Sequence, residues 1–375
     1  MTEAAEFTYI DTDEGLAEVI RRLREVDVVA VDTEFARSHT YYPEVGLVQI
    51  YDGRECYLVD PLEIDDLTVL GDLLSDTSVI KVLHACSEDL EVFQYAVGKT
   101  PVPAFDTQIA SAALGLSFAV SYQSLVEHYL GLNIPKEETR SDWLQRPLSQ
   151  SQLEYAALDV IHLLEVYHKQ IEALDETGKT HWVAEECSSL GSEISITLDP
   201  DACYLKVKSA VRMTQEELNR LQVLCAWRER LARQQNVPRN RVVEEKALVA
   251  VTRADIRQKG DLREMAGLTP RQVRKYGDDM LFLLEEARLV PAREFPPLVV
   301  DNAINVSNES VKMLKKVVEA RAESLNVAPE LLAKRRHLEQ LVRSKAQGDM
   351  TLPDPLTGWR EEVIGQHLID ALADR

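Results

Sequence analysis

Apolar and polar positions alternate along this chain with two periods, and the period changes from its first half to its second. Residues 28–33, 46–51 and 56–59 are short runs rich in β-branched residues, the last two joined by Asp52-Gly53-Arg54-Glu55. They predict three strands with a turn before the third. Helical spacing predicts a helix over 64–74, 79–84 reads as a further strand, and 87–96 returns to helix with Leu90, Phe93 and Ala96 on one side. After Pro101 and Pro103, Asp106 stands as the N-cap of an Ala-rich helix. From there to about Trp182 the pattern is helical, broken near 131–135 and at Pro147. Strands alternating with helices predict an α/β domain with a mixed sheet over residues 1–190.

Residues 191–210 mix Ser, Gly, Pro and Asp and are expected to form a linker. Beyond them strand signals largely vanish. Helical patterns cover 218–234, 244–252 and 278–287, the last after the loop Gly267-Leu268-Thr269-Pro270, and Pro291, Pro296 and Pro297 mark a boundary. The pattern then repeats. Asn236-Val237-Pro238 followed by Leu248 is matched by Asn326-Val327-Ala328 followed by Leu338, and Gly277 is matched by Gly365. Two small all-α modules are therefore expected, over 211–292 and 300–375.

Composition adds less than the distribution of charge. The hydrophobic fraction is 45%, ordinary for a soluble protein. No apolar run approaches the roughly 18 residues of a membrane helix, and the N-terminus lacks the basic and apolar regions of a signal peptide, so a cytoplasmic protein with no membrane partner is expected. Five scattered cysteines, none in C-x-x-C spacing, predict reduced thiols rather than disulfides or a zinc finger. The net charge of −21 argues against a nucleic-acid partner until it is divided. Residues 1–203 carry 12 basic and 38 acidic side chains (net −26), 204–296 carry 19 and 13 (net +6), and 297–375 carry 11 and 12 (net −1). A basic middle beside an acidic first half suits a polyanion held by one and presented to the other. A merely solvated basic helical face is the alternative.

The strand at 28–35 turns acidic where it ends, and alternate side chains share a face, so Asp32 and Glu34 project together. They can grip a hard divalent cation, or simply form an exposed strand end. Asp89, in the acidic start of the helix at 87–96, can face the same strand-end cleft. Tyr155 and Asp159, four apart in a helix, also share a face.

In this order, Asp32-x-Glu34, Asp89 and Tyr155-x-x-x-Asp159 resemble the motifs of the DEDD 3′→5′ exonucleases of the tyrosine subclass. Val31-Asp32-Thr33-Glu34-Phe35, Tyr41-Tyr42-Pro43, Leu83-His84-Ala85, Ser87-Glu88-Asp89-Leu90-Glu91-Val92-Phe93, Asp106-Thr107-Gln108 and Asp142-Trp143-Leu144 are similar to the ribonuclease D family. The helical repeats resemble HRDC modules, and the second, without a counterpart of Pro238, is the looser match. The resemblance implies a ribonuclease H-like mixed-sheet exonuclease domain followed by two HRDC bundles. It also implies two divalent cations, Mg²⁺ or Mn²⁺, with Asp32 bridging both, Glu34 and Asp159 completing the water-side site and Asp89 holding the leaving-group ion. Tyr155 would orient the nucleophile, since an unassisted phenol near pKa 10 is a poor base at neutral pH.

By the same resemblance, Thr33 and Phe35 touch the terminal nucleotide. His84 either contacts substrate or is a satisfied histidine at a strand end. Arg140 could touch phosphate, and Trp143 is expected in the core. In the basic module Arg228, Arg230, Arg233, Arg239, Arg241, Arg271, Arg274 and Lys275 are candidates for phosphate contacts without base specificity. The expected activity is release of 5′-mononucleotides from RNA 3′ ends, tRNA precursors among them, by a monomer without a heptad seam. A DNA exonuclease is the alternative, because HRDC modules also occur in DNA-processing proteins. A non-catalytic scaffold would require a broken acidic set, and here the set is complete.

Overall fold

The computed structural model describes residues 5–134, 141–195, 199–299 and 308–373. Two compact units emerge, and they do not follow the order of the chain. One joins 5–36, the described part of 43–195, and 308–373; the other joins 37–42 to 199–299.

The first unit is built on a six-stranded mixed sheet ordered β1-β4-β3-β2-β5-β6. Its strands are β1 (Thr8–Ile10), β2 (Val28–Ala36), β3 (Glu44–Tyr51), β4 (Cys56–Val59), β5 (Ile80–Leu83) and β6 (Ala104–Asp106). β3 runs antiparallel to β2 and β4; the other pairings are parallel. β2 is central, which explains its unbroken apolar run: both of its faces are covered. Val29 and Val31 pack with α1 (Asp13–Leu23), α2 (Thr68–Leu74) and α3 (Ser87–Val97). Ala30, with Leu47, Leu58 and Val82, faces the opposite way, toward Ala156, Ala157, Val160 and Leu163. Those residues belong to α6 (Gln150–Thr177), which follows α4 (Thr107–Ala113) and α5 (Tyr122–Leu130). The Ser149 capping box starts α6 and α7 (Thr180–Ser195) follows it.

Several elements depart from the expected pattern for local reasons. β1 and β6 are three residues each, too short to show alternation. α2 starts at Thr68 rather than 64 because the Asp66 carboxylate accepts from the Thr68 N–H at 2.9 Å and turns the chain first. The 191–210 stretch is not a bare linker: α7 runs into it, and 3-10 turns at Pro200–Lys206 and Lys208–Arg212 bury Cys203, Tyr204, Val207 and Ala210.

Those turns belong to the second unit, with α8 (Gln215–Gln234), α9 (Arg239–Val242), α10 (Glu245–Arg253), α11 (Lys259–Glu264) and α12 (Pro270–Leu289). α12 begins well before the expected 278, because Thr269 caps it and Pro270 occupies its first turn. Gly277 does not break this helix. It lets α11 approach: a Cβ there would meet Lys259 Cγ at 3.3 Å. From the 37–42 segment, Tyr41 donates its hydroxyl to Glu229 and accepts from Arg233 (3.1 Å) and Arg239 (2.9 Å).

The last elements are α13 (Asn308–Leu325), α14 (Pro329–Leu332), α15 (Arg335–Ala346) and α16 (Gln366–Ala373). The repeat seen in the sequence is a repeated helix end. Asn236 (φ 46°) and Asn326 (φ 50°) both take the left-handed conformation, and in each case the next valine donates back to an alanine carbonyl at 3.0 Å, Val237 to Ala232 and Val327 to Ala322. This is a Schellman-type stop with Asn in place of Gly. The C-terminal module shares one core with the sheet-bearing part. Trp182 stacks on Trp359 at 4.8 Å, and Lys179 Nζ donates to the carbonyls of Ala113, Leu325 and Asn326. Glu186 pairs with Arg360 and accepts from Trp359 Nε1 at 2.9 Å. Among the described residues no helix is long and apolar enough to cross a membrane.

Two stability predictions follow from these clusters. Glu186→Ala leaves the largely buried Arg360 guanidinium without its carboxylate and is expected to cost about 3 kcal/mol in chemical denaturation; a loss under about 0.5 kcal/mol would show the pair to be incidental. In the second unit, burial pushes the Glu229 carboxyl up, but bonds from Arg239, Tyr41 and Arg233 outweigh it and hold it at about 2. Its folded pKa lies below the ordinary glutamate value of 4.5, so its contribution is complete above that pH and is lost as the pH falls toward 2, about 3 kcal/mol in all. Glu229→Gln should therefore remove the steep acid dependence between pH 4.5 and 2; parallel acid-unfolding curves for the two proteins would refute this.

Candidate active site

Asp32 and Glu34 lie on the β2 face that Ala30 shares, the face α6 covers, because residues two apart in a strand point the same way. α6 brings Tyr155 and Asp159 to meet them. One carboxylate oxygen from each of Asp32, Glu34 and Asp159 lies within 4.8 Å of the others, and Tyr155 donates its hydroxyl to Asp159. These four side chains, with His84, Ser121, Tyr122, Gln123, Ile134 and Leu163, line a cleft of about 390 Å³. The first turn of α5, capped by Ser121, borders it, and the partial positive charge of that helix end favours an anion there.

Asp89 arrives by a different route. It sits in the first turn of α3 on the opposite face of the sheet, where it is buried and accepts a hydrogen bond from Thr33. It is not within the three-carboxylate cluster, although its charge raises the pKa values of Asp32 and Glu34. Alternation turns the Thr33 side chain away from Asp32 and Glu34, and at 5% exposure its hydroxyl is engaged with Asp89 rather than open to the cleft. Asp106 is an N-cap as expected, accepting from Gln108 N at 2.7 Å, and it does more. Its carboxylate also accepts from Ala85 N and Cys86 N, both at 3.0 Å. That grip holds Ala85 at φ 54° and fixes the turn that launches α3.

The entry to α6 is locked as tightly. Arg146 forks onto Asp60 at 2.5 and 2.6 Å and donates to the carbonyls of Trp143 (2.9 Å) and Gly46 (2.6 Å). Gly46 is the extra residue of a β-bulge opposite Glu34 and Phe35. Only glycine fits there, since a Cβ would lie 2.5 Å from the Trp143 carbonyl oxygen. Trp143 is in the core as expected, 6.3 Å from the Tyr155 ring.

Packing carboxylates together has an electrostatic signature. Burial, then the charges of Asp89, Asp159 and Glu34, push Asp32 well above the usual carboxylate range. Burial and the neighbouring charges of Asp159 and Asp89 push Glu34 up to about 9, and burial takes Asp89 and Asp159 to about 7. Burial and the adjacent carboxylates also push the Tyr155 phenol up, so it keeps its proton. Asp32, Glu34 and Asp159 offer only hard anionic oxygen and suit a divalent cation of the Mg²⁺ or Mn²⁺ kind. Such an ion displaces protons, so its affinity rises with pH.

The remaining candidates divide. Phe35 lies past the bulge, partly exposed and outside the cleft lining. His84 lines the cleft with both ring nitrogens in contact: Nε2 lies 3.1 Å from the Val120 carbonyl and Nδ1 2.9 Å from the Thr107 hydroxyl, which itself donates to the Leu83 carbonyl, and burial pushes the ring pKa down. Arg140 lies outside the described residues. Arg230 is paired with Asp201, Arg233 and Arg239 with Glu229, Arg241 approaches His39 at 3.5 Å, and Lys275 donates to Gln235. Arg271 and Arg274 are exposed. Arg228 is not a surface residue at all, at 7% exposure. Sequence reasoning missed Tyr122, whose hydroxyl donates to the Leu158 carbonyl. It also missed Gln49, which sits opposite Asp32 in β3, fully buried, with neither end of its amide bonded among the described residues. No local signal marks either one.

Comparison with known proteins covers the whole chain. Residues 7–174 match a 3′-5′ exonuclease family, 217–284 the HRDC domain, and 308–368 the C-terminal HRDC domain of ribonuclease D. A ribonuclease D of Pseudomonas paraeruginosa is 42% identical over 370 residues, 98% of each chain. One of Escherichia coli K12 is 35% identical over 371 residues, 98% of this chain and 99% of that one. The crystal structure of Escherichia coli RNase D, described as an exoribonuclease involved in structured RNA processing, superposes with a TM-score of 0.92 over 98% of this chain and 99% of that one, at 34% identity.

The Thr33 to Asp89 bond yields a direct test. Thr33→Val keeps the shape and removes the donor, and Mn²⁺ affinity measured by calorimetry should fall roughly 10–100-fold, while Thr33→Ser retains it. Equal affinity in all three proteins would remove Thr33 from the site.

Proposed function

The chain belongs to the ribonuclease D family of 3′→5′ exoribonucleases, and from that footing we propose that it trims 3′ ends of tRNA precursors and other structured RNAs by two-metal hydrolysis, releasing 5′-mononucleotides. The observation that carries the reading is the cluster of Asp32, Glu34 and Asp159 with Tyr155 in one cleft, in a chain that aligns end to end with ribonuclease D. Asp32, Glu34 and Asp159, with Asp89 from the far side of the sheet, would hold the cations. What bound Mg²⁺ or Mn²⁺ supplies is an activated water and stabilised charge on the phosphate and the leaving 3′ oxygen.

The protein's own part is positioning. Tyr155 stays protonated and donates to Asp159, so its hydroxyl orients the attacking water rather than taking a proton from it. The start of α5 borders the cleft, and its partial positive charge would favour the scissile phosphate there. Thr33 keeps Asp89 in one rotamer. Phe35, partly exposed past the bulge, would stack on the terminal base, as aromatics do with single strands. The helical modules hold the body of the RNA, and the net charge of +6 over 204–296 supports that division of labour.

The test is digestion of an end-labelled tRNA precursor with matched RNA and DNA 3′ overhangs as competitors. Stepwise shortening from the 3′ end with release of 5′-mononucleotides is expected, reduced on the order of 10³-fold by EDTA or by Asp159→Asn. Undiminished activity of the purified variant would sink the metal reading, and a preference for the DNA overhang would overturn the RNA assignment.

A further inference from the structure

The second unit contains a cleft of about 330 Å³ lined by Arg37, Thr40, Tyr41, Arg228, Pro238, Arg239, Asn240 and Glu245. Its chemistry is unbalanced at one residue. Arg230, Arg233 and Arg239 all have carboxylate partners, Asp201 for the first and Glu229 for the other two. Arg228, on α8, has none among the described residues. It is 7% exposed, its Nη1 donates to the Val243 carbonyl at 3.2 Å, and its Nε–H is buried without a partner among the described residues. A guanidinium cannot shed its proton, so a buried one needs an anion or a full set of acceptors. A second orphan lines the same cleft: the Thr40 hydroxyl is also buried and unbonded.

We infer that this cleft is a phosphate-binding pocket, with the Arg228 guanidinium as its anchor, Thr40 and Asn240 as neutral donors, and Arg37 and Arg239 at its rim. A planar fork of N–H groups beside a hydroxyl and an amide is the donor set that phosphate oxygens select. Glu245 opposes an anion, and Arg239 is shared with Glu229, so Arg228 is the guanidinium of the lining on which the anion would rest. Its volume is that of a small-molecule site, so a phosphate enters with its attached nucleoside. Two sources supply this chemistry, a phosphodiester of an RNA strand and a free phosphate ester. The strand is favoured because the exposed Arg241, Arg271, Arg274 and Lys275 belong to the same unit. This deepens the exoribonuclease reading and rests on it: Arg228 fixes the register of the strand rather than its sequence.

The experiment uses the full-length Asp159→Asn protein, which binds RNA without cutting it, and measures single-stranded RNA affinity across a salt series. Arg228→Met should weaken binding about 5–20-fold and lower the salt slope by about 0.7, the value for one lost phosphate contact on a single strand. Its melting temperature should hold or rise, because an uncompensated buried charge has gone; a purely structural arginine would lower it. Thr40→Val, which keeps the fold if Arg228→Met does not, should weaken binding about 2–5-fold. Arg293→Gln, an exposed charge loss elsewhere in the unit, serves as the control. Inorganic phosphate, titrated in a melting assay, is the second arm. Stabilisation by phosphate that depends on Arg228, with an unchanged RNA slope, would reassign the pocket to a free ester and overturn the strand assignment. No response in either arm would overturn the pocket altogether. Digestion of RNA by the wild-type protein in parallel separates this outcome from failure of the exoribonuclease reading itself.

Discussion

Like charges held close are the constraint on which this structure turns. Three carboxylates with oxygens within 4.8 Å of one another repel unless protons or cations lie among them, so the fold must hold them by force from outside. Each holding device is a neutral or paired group one layer back. β2 is clamped between two sheet neighbours, Thr33 fixes Asp89, and Asp106 fixes the turn that carries α3. Arg146, forked onto Asp60, fixes the approach to α6. None of these touches the centre of the cleft, and together they leave the carboxylates no room to swing apart. Burial is the main reason the pKa values of Glu34, Asp89 and Asp159 are elevated, and at Glu34 the charges of Asp159 and Asp89 add to it.

Much of this was legible in the sequence, and what was not has physical reasons. Asp32, Glu34, Tyr155 and Asp159 were readable because strand and helix periods are local rules: two apart or four apart decides a shared face. Asp89 was expected to face the same cleft, and its approach from the other side was not legible, since the side of a sheet on which a helix packs is a matter of topology. The burial of the Thr33 side chain has a related reason: its motif neighbours face the cleft, and alternation sends it the other way. Gln49 carries no signal because its importance lies in a cross-strand pairing with Asp32. Gly277 looked like a helix boundary, whereas its missing side chain serves contact with α11. The basic residues of the middle module were legible as a charge excess only. Which of them are spent on Glu229 and Asp201 and which are not depends on rotamers that spacing cannot specify.

The return of the last helices to the first domain has a consequence in time rather than in space. The apolar patch formed by Ala112, Ala113, Trp182, Val183 and Cys187 is completed only by Leu314, Val318, Leu331 and Trp359, from the final stretch of the chain. During synthesis the residues of the acidic cleft emerge before the helices that cover that patch, so this core is finished later than the cleft. A chain cut short before these helices would carry Asp32, Glu34, Asp89 and Asp159 and still display an open apolar face, the feature by which quality-control proteases select their targets.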